Sequence, residues 1–124
     1  MCGIVGLFLK DKSLEPELGA MLSDMLVTMT DRGPDSAGIA IYGSDDNKNG
    51  KITIQSDTPD EVFPNLEQDI KVATGTKVSV KRKSTHAVLE MDAFEVNSVR
   101  SALNKIRPSV RIMSAGDTIE IYKE

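Results

Sequence analysis

Apolar positions in the first thirty residues follow two periods in succession. Residues 4–9 (IVGLFL) form an apolar run broken only by Gly6, the pattern of a buried strand, with Gly3 and Gly6 letting another backbone approach closely. After the polar turn at 10–12, Leu14, Leu18, Met21, Leu22, Met25, Leu26 and Met29 recur at offsets of 4, 7, 8, 11, 12 and 15, one continuous helical face. Ser13 is the expected N-cap, Pro16 fits the first turn, and Gly33-Pro34 stops the helix near Asp31. The three methionines on this face read as core packing rather than a cofactor box.

Further on, residues 37–42 read as a strand with Ile39 and Ile41 on one face, and residues 51–55 as another. The polar stretch SDDNKNG between them predicts a hairpin with a long loop. Leu66 and Ile70 suit a short helix. Val78, Val80 and residues 87–89 predict one or two strands, interrupted by Lys81-Arg82-Lys83. Asp92 with Glu95 forms a capping-box pair before a helix whose buried stripe is Val96, Val99, Leu103 and Ile106, ended by Pro108. Residues 110–113 and 118–122 read as a hairpin around Ser114-Ala115-Gly116-Asp117. The chain divides in this reading into a segment at 1–56 and an α+β, insertion-like segment of the same domain at 57–124, which ends in a strand–helix–strand–strand unit after residue 76, the natural docking surface if the chain is a non-catalytic module.

Composition narrows the function classes. The 124 residues carry a net charge of -4 and 4% aromatic residues, without tryptophan. Nucleic acid and anionic membranes are therefore poor partners, and a base-stacking platform is not expected. One cysteine excludes an internal disulfide framework and a multi-cysteine metal site. No apolar run approaches the ~20 residues of a membrane span, and the apolar start lacks the basic region and cleavage site of a signal peptide. A reducing cytoplasm is the expected location.

That cysteine is Cys2, directly behind the initiator methionine. Removal of Met1 would give Cys2 a free α-amino group with a pKa of roughly 7.7–8.0. Its thiol, near pKa ~8.5, would then sit beside a base tethered to the same residue. One residue would then supply both nucleophile and base, as in the N-terminal threonine variants of that logic. Position alone favours an incidental thiol, but a second motif downstream of Cys2 changes that balance.

MCGIVG, an amphipathic helix, and then DRGPDSAGIAIY at 31–42 resemble the class II glutamine amidotransferases. The resemblance rests on two motifs in order, Cys2-Gly3-Ile4 and, about thirty residues on, Arg32-Gly33-Pro34-Asp35-Ser36-Ala37-Gly38. It covers the first third of the chain. The remainder looks most like the amidotransferase subunits of glutamate-synthase-like proteins, including the N-methylglutamate synthase type. The resemblance implies an N-terminal-nucleophile fold, two sheets between helix layers. It implies that Cys2 attacks the side-chain amide of glutamine and that a γ-glutamyl thioester is then hydrolysed. The ammonia would pass to a partner synthase, with no cofactor and no metal. Gly3 and Arg32 would support the site. Arg32 would hold the N-terminal strand and turn, Gly33 would permit the tight turn, and Asp35 and Ser36 would hydrogen-bond within it. The other reading of Arg32 is an exposed cation at a helix end.

Other elements of that family are not found. There is no His-Thr-Arg segment, and His86 reads as a half-exposed strand histidine rather than the base of a Cys–His pair. Asn49-Gly50 comes too early for the family's oxyanion pair and is assigned to a turn. Asp45, Asn47, Asn49 and Gly50 open like a calcium loop, but Ser56 stands where its bidentate glutamate belongs. Lys81-Arg82-Lys83 reads as a solvated turn or edge protection. The expectation is thus a nucleophile without its substrate-binding half, which a second chain would supply. The alternative is a non-catalytic interaction or regulatory module derived from the same fold.

Overall fold

The computed structural model describes residues 3–33, 35–43 and 48–123. They divide into two compact units, one running to Ala37 and the other spanning Gly38–Lys123. Residue 56, the division drawn from sequence, lies inside the second unit.

In the first unit, residues 3–9 form no strand and pair with no described residue, contrary to the pattern of the apolar run. Exposure still alternates with the strand period: Val5, Leu7 and Leu9 are half-buried, whereas Ile4 is 94% and Phe8 85% exposed. A strand needs a ladder partner as well as an apolar face, and among the described residues that partner is missing. A 3-10 helix at Lys12–Glu17 leads into helix α1, Leu18–Val27, and a second 3-10 turn comes after it at Thr30–Arg32. The N-cap is Asp11, not Ser13: the Asp11 carboxylate accepts from the Ser13 backbone N–H at 2.9 Å. Pro16, which has no N–H to donate, lies in the 3-10 segment, so the α-helix starts only at Leu18. The apolar stripe from Leu18 to Met29 is half-buried as its spacing requires, yet no described residue of the three helices is fully buried.

The second unit is α+β. Strands β1 (Gly38–Tyr42) and β2 (Asn49–Gln55) are followed by the single turn α2 (Pro59–Val62) and helix α3 (Leu66–Thr74). Strands β3 (Ser79–Lys83) and β4 (His86–Asp92), helix α4 (Val96–Ile106), and strands β5 (Arg111–Gly116) and β6 (Ile119–Lys123) complete it. All pairing is antiparallel: β3-β4-β2-β5 form a four-stranded sheet, and β1-β6 a two-stranded ribbon. Neither expected hairpin forms. β1 and β2 belong to different sheets, as do β5 and β6, and in both cases partners distant in sequence win. Asn49 and Gly50 are strand residues opposite Asp92 and Met91 rather than a turn. A side chain at Gly50 would collide with Val96 and come within 3.1 Å of the Ala93 backbone, which is why glycine fits there.

One face of the four-stranded sheet is aliphatic. Ile52, Ile54, Ala87, Leu89 and Met91 pack with Leu66 and Ile70 of α3 and Val99 and Leu103 of α4. Both helices were legible from their stripes. Gly75 ends α3 at φ 78, a left-handed conformation that favours glycine. The Asp92–Glu95 capping box does not form: a 3-10 turn at Ala93–Glu95 intervenes, and Glu95 accepts instead from the Thr76 hydroxyl at 2.9 Å. Lys81, Arg82 and Lys83 lie within β3, the sheet's edge strand, and Ser84-Thr85 makes the break. The basic cluster therefore guards an open edge.

The opposite face is buried and largely polar: Thr53 and Gln55 of β2, His86 of β4 and Ser114 of β5, with Val88 opposite Thr53. β6 runs against it. The Ser114 hydroxyl donates to the Ile119 carbonyl at 3.3 Å and accepts from the Ile121 N–H at 3.2 Å. The ribbon is thus held by hydrogen bonds on this face, and the helices by apolar burial on the other.

Candidate functional site

Cys2 and Pro34 lie outside the described residues, and the described part of the first motif begins at Gly3. A Cβ built on Gly3 would collide with the terminal methyl of Met29 and sit 3.6 Å from Arg32 Cβ. The residue following Cys2 therefore lies against the 3-10 turn that carries Arg32, and the two sequence motifs meet inside the first unit. Met29 is a contact the sequence reading missed. Its signal was available: it closes the apolar stripe three residues before Arg32.

The turn itself departs from expectation. The Arg32 N–H donates to the Met29 carbonyl at 2.9 Å and the Gly33 N–H to the Thr30 carbonyl at 3.3 Å. Gly33 has φ -156 and ψ 72, outside the left-handed region, and a side chain there would meet nothing within 4 Å. No left-handed turn requires glycine at this position. Asp35 and Ser36 are exposed and bond to no described residue, so the hydrogen-bonding roles expected of them are not seen. Arg32 is exposed at the end of the 3-10 turn, and its guanidinium makes no ion pair with a described residue. What the structure brings together is Gly3, Met29 and Arg32; Gly33 bonds back to Thr30, and Asp35 and Ser36 make no hydrogen bond with a described residue.

A second polar centre, not foreseen from sequence, lies between β6 and the four-stranded sheet. Lys51 Nζ donates to Glu120 Oε1 at 2.7 Å, and the Tyr122 hydroxyl donates to Glu120 Oε2 at 2.6 Å. Burial alone would raise the Glu120 carboxyl, but the bonds from Lys51 and Tyr122 outweigh it and hold the group below its ordinary value. Burial, and then the Glu120 charge, push the Tyr122 phenol well above its ordinary value. The Tyr122 ring also lies 5.4 Å, centre to centre, from the His86 ring. His86 is 4% exposed, a buried strand residue rather than a half-exposed one. Among the described residues no group of three or more His, Cys, Asp or Glu side chains is placed to hold a metal ion. No helix among them is long and apolar enough to cross a membrane.

No family model matches the chain. Two curated proteins are similar to it over nearly its full length. One is the glutamine amidotransferase-like protein GlxB of Rhizobium meliloti (strain 1021), 60% identical over 124 residues, covering 100% of this chain and 41% of that protein. The other is a putative glutamine amidotransferase of Methanothermobacter thermautotrophicus (strain Delta H), 32% identical over 142 residues, covering 98% of this chain and 45% of that protein. The chain is thus homologous along its length to proteins named for glutamine amidotransfer, and it spans less than half the length of each.

Proposed function

We propose that this chain contributes the nucleophile of a class II glutamine amidotransferase. Cys2, freed by removal of Met1, attacks the side-chain amide carbon of glutamine. Ammonia leaves, the C–N bond is replaced by a γ-glutamyl thioester, and water hydrolyses that thioester to glutamate and the free thiol. The α-amino group of Cys2 takes the thiol proton and returns it to the departing nitrogen. The observation that supports this reading is the close approach of the Met29 methyl to Gly3, with Arg32 Cβ 3.6 Å from where a Cβ on Gly3 would stand. Arg32 is assigned to hold the N-terminal segment in place. The second unit is assigned to one part of an N-terminal-nucleophile sandwich. The substrate anchors and oxyanion donors are assigned to polypeptide beyond these 124 residues, and the ammonia acceptor to a synthase subunit.

The test is ammonia release from glutamine, with the chain alone and with its neighbouring gene products. Activity that needs the second component and disappears in Cys2→Ala supports the proposal. Silence under both conditions, in a protein whose N-terminus is processed, supports a non-catalytic module instead.

A further inference from the structure

His86 is the only histidine of the chain, and it is buried where β6 meets the four-stranded sheet. Its two ring nitrogens have different partners. The backbone N–H of Lys123 donates to Nε2 at 3.1 Å, so Nε2 must carry a lone pair. The proton of the neutral ring is then on Nδ1, which lies 3.1 Å from the Thr85 hydroxyl. The side chain that accepts this bond belongs to β4, and the N–H that makes it belongs to β6, in the other sheet. Lys123 in turn pairs with Gly38, the first residue of β1 and the last of the RGPDSAG motif. One imidazole lone pair therefore ties the four-stranded sheet to the end of the ribbon.

We infer that His86 is a protonation-sensitive positioning residue: its neutral ring clasps Lys123, and through it the Gly38 end of β1, and the imidazolium releases both. Protonation puts an N–H on Nε2, facing the Lys123 N–H. Two donors then oppose each other in a buried site, and the bond is replaced by a repulsion. Among the described residues the surroundings offer the new charge no counter-ion of its own. On β6, Glu120 is already engaged by Lys51 and Tyr122, and the remaining charged residue is Lys123. On β3 the register partner is Lys83. On β2 the partner is the neutral Gln55, which is bonded to Arg111 of β5 and to Asp57. The clasp rests on this geometry alone and stands whether or not the chain hydrolyses glutamine.

The experiment is a titration of the 15N-labelled chain by nuclear magnetic resonance from about pH 5 to about pH 8, spanning the ordinary histidine range. The single histidine makes the ring signals unambiguous. At the upper end Nε2 should show the shift of an acceptor nitrogen. As the ring protonates, the Lys123 and Gly38 amide signals should move with the same midpoint. The protection factor of the Lys123 amide, its exchange rate corrected for the intrinsic pH dependence, should fall roughly 3- to 10-fold, the scale of one lost hydrogen bond. In His86→Gln the side-chain oxygen can accept the same bond without titrating, so both amides should be independent of pH and the protection retained. A ring that stays neutral across the range overturns the inference. So does a ring that titrates while the Lys123 amide is unmoved, or a His86→Gln chain that keeps the pH dependence.

Discussion

Exchanging Glu120 for glutamine removes one charge and leaves the shape of the side chain. In the native protein the carboxylate takes a bond from Lys51 at 2.7 Å and another from Tyr122 at 2.6 Å. The Lys51 and Glu120 side chains are only 23% and 18% exposed, so the pair is neither a solvated surface bridge nor a fully desolvated one. Exposed pairs contribute ~0–1 kcal/mol and charge-assisted bonds ~1.5–3 kcal/mol. Glu120→Gln should therefore destabilise the chain by about 1–2 kcal/mol at neutral pH. In a double-mutant cycle with Lys51→Met, measured by urea unfolding, the coupling should be roughly 1 kcal/mol. The sign of its pH dependence comes from the lowered Glu120 group. Its contribution is complete above the unfolded carboxylate value of ~4.3 and is lost as pH falls through the lower folded value. A cycle that is additive within ~0.3 kcal/mol would refute the claim that this pair holds the ribbon on the sheet.

Three other substitutions and measurements probe the same structure. Thr53 is fully buried, and its hydroxyl is the one buried side-chain polar atom among the described residues without a hydrogen-bond partner. Thr53→Val should raise stability by about 1 kcal/mol, and a loss in thermal or urea unfolding would show that the hydroxyl is bonded after all. Leu103, 1% exposed on the inner face of α4, should cost about 2–5 kcal/mol when cut to alanine; a cost below ~1 would mean that α4 is not seated on the sheet. Amides of residues 12–32, where the helices bury no residue fully, should exchange at least ~100-fold faster than those of β2 and β4, and equal protection would contradict the burial pattern.

Helices were legible in this sequence because their signal is local. The stripes at Leu66–Ile70 and Val96–Ile106 name their own buried faces, and both faces lie in the core. Pairing was not legible in the same way. Residues 37–42 and 51–55 look like consecutive hairpin strands, but each strand finds its partner far along the chain: Gly38 opposite Lys123, and Gln55 opposite His86 and Arg111. Strand periodicity tells which residues share a face and says nothing about which strand lies beside them. The polar layer under β6 was hidden for a related reason. Thr53, His86 and Ser114 look like solvent-facing positions until a second sheet covers them. At the N-terminus Gly3 lies against Met29 near Arg32, and among the described residues Asp35 and Ser36 make none of the hydrogen bonds expected of them.

The central claim is that Cys2 is a processed N-terminal nucleophile. Its most direct test is the intact mass of the purified protein before and after incubation with an electrophilic analogue of glutamine. The account predicts a chain lacking Met1, with one adduct that maps to Cys2 and is absent in Cys2→Ala. A chain that retains Met1 would contradict it, because the thiol would then have no α-amino base. A processed chain of the full-length protein that gains no adduct at Cys2 would contradict it equally.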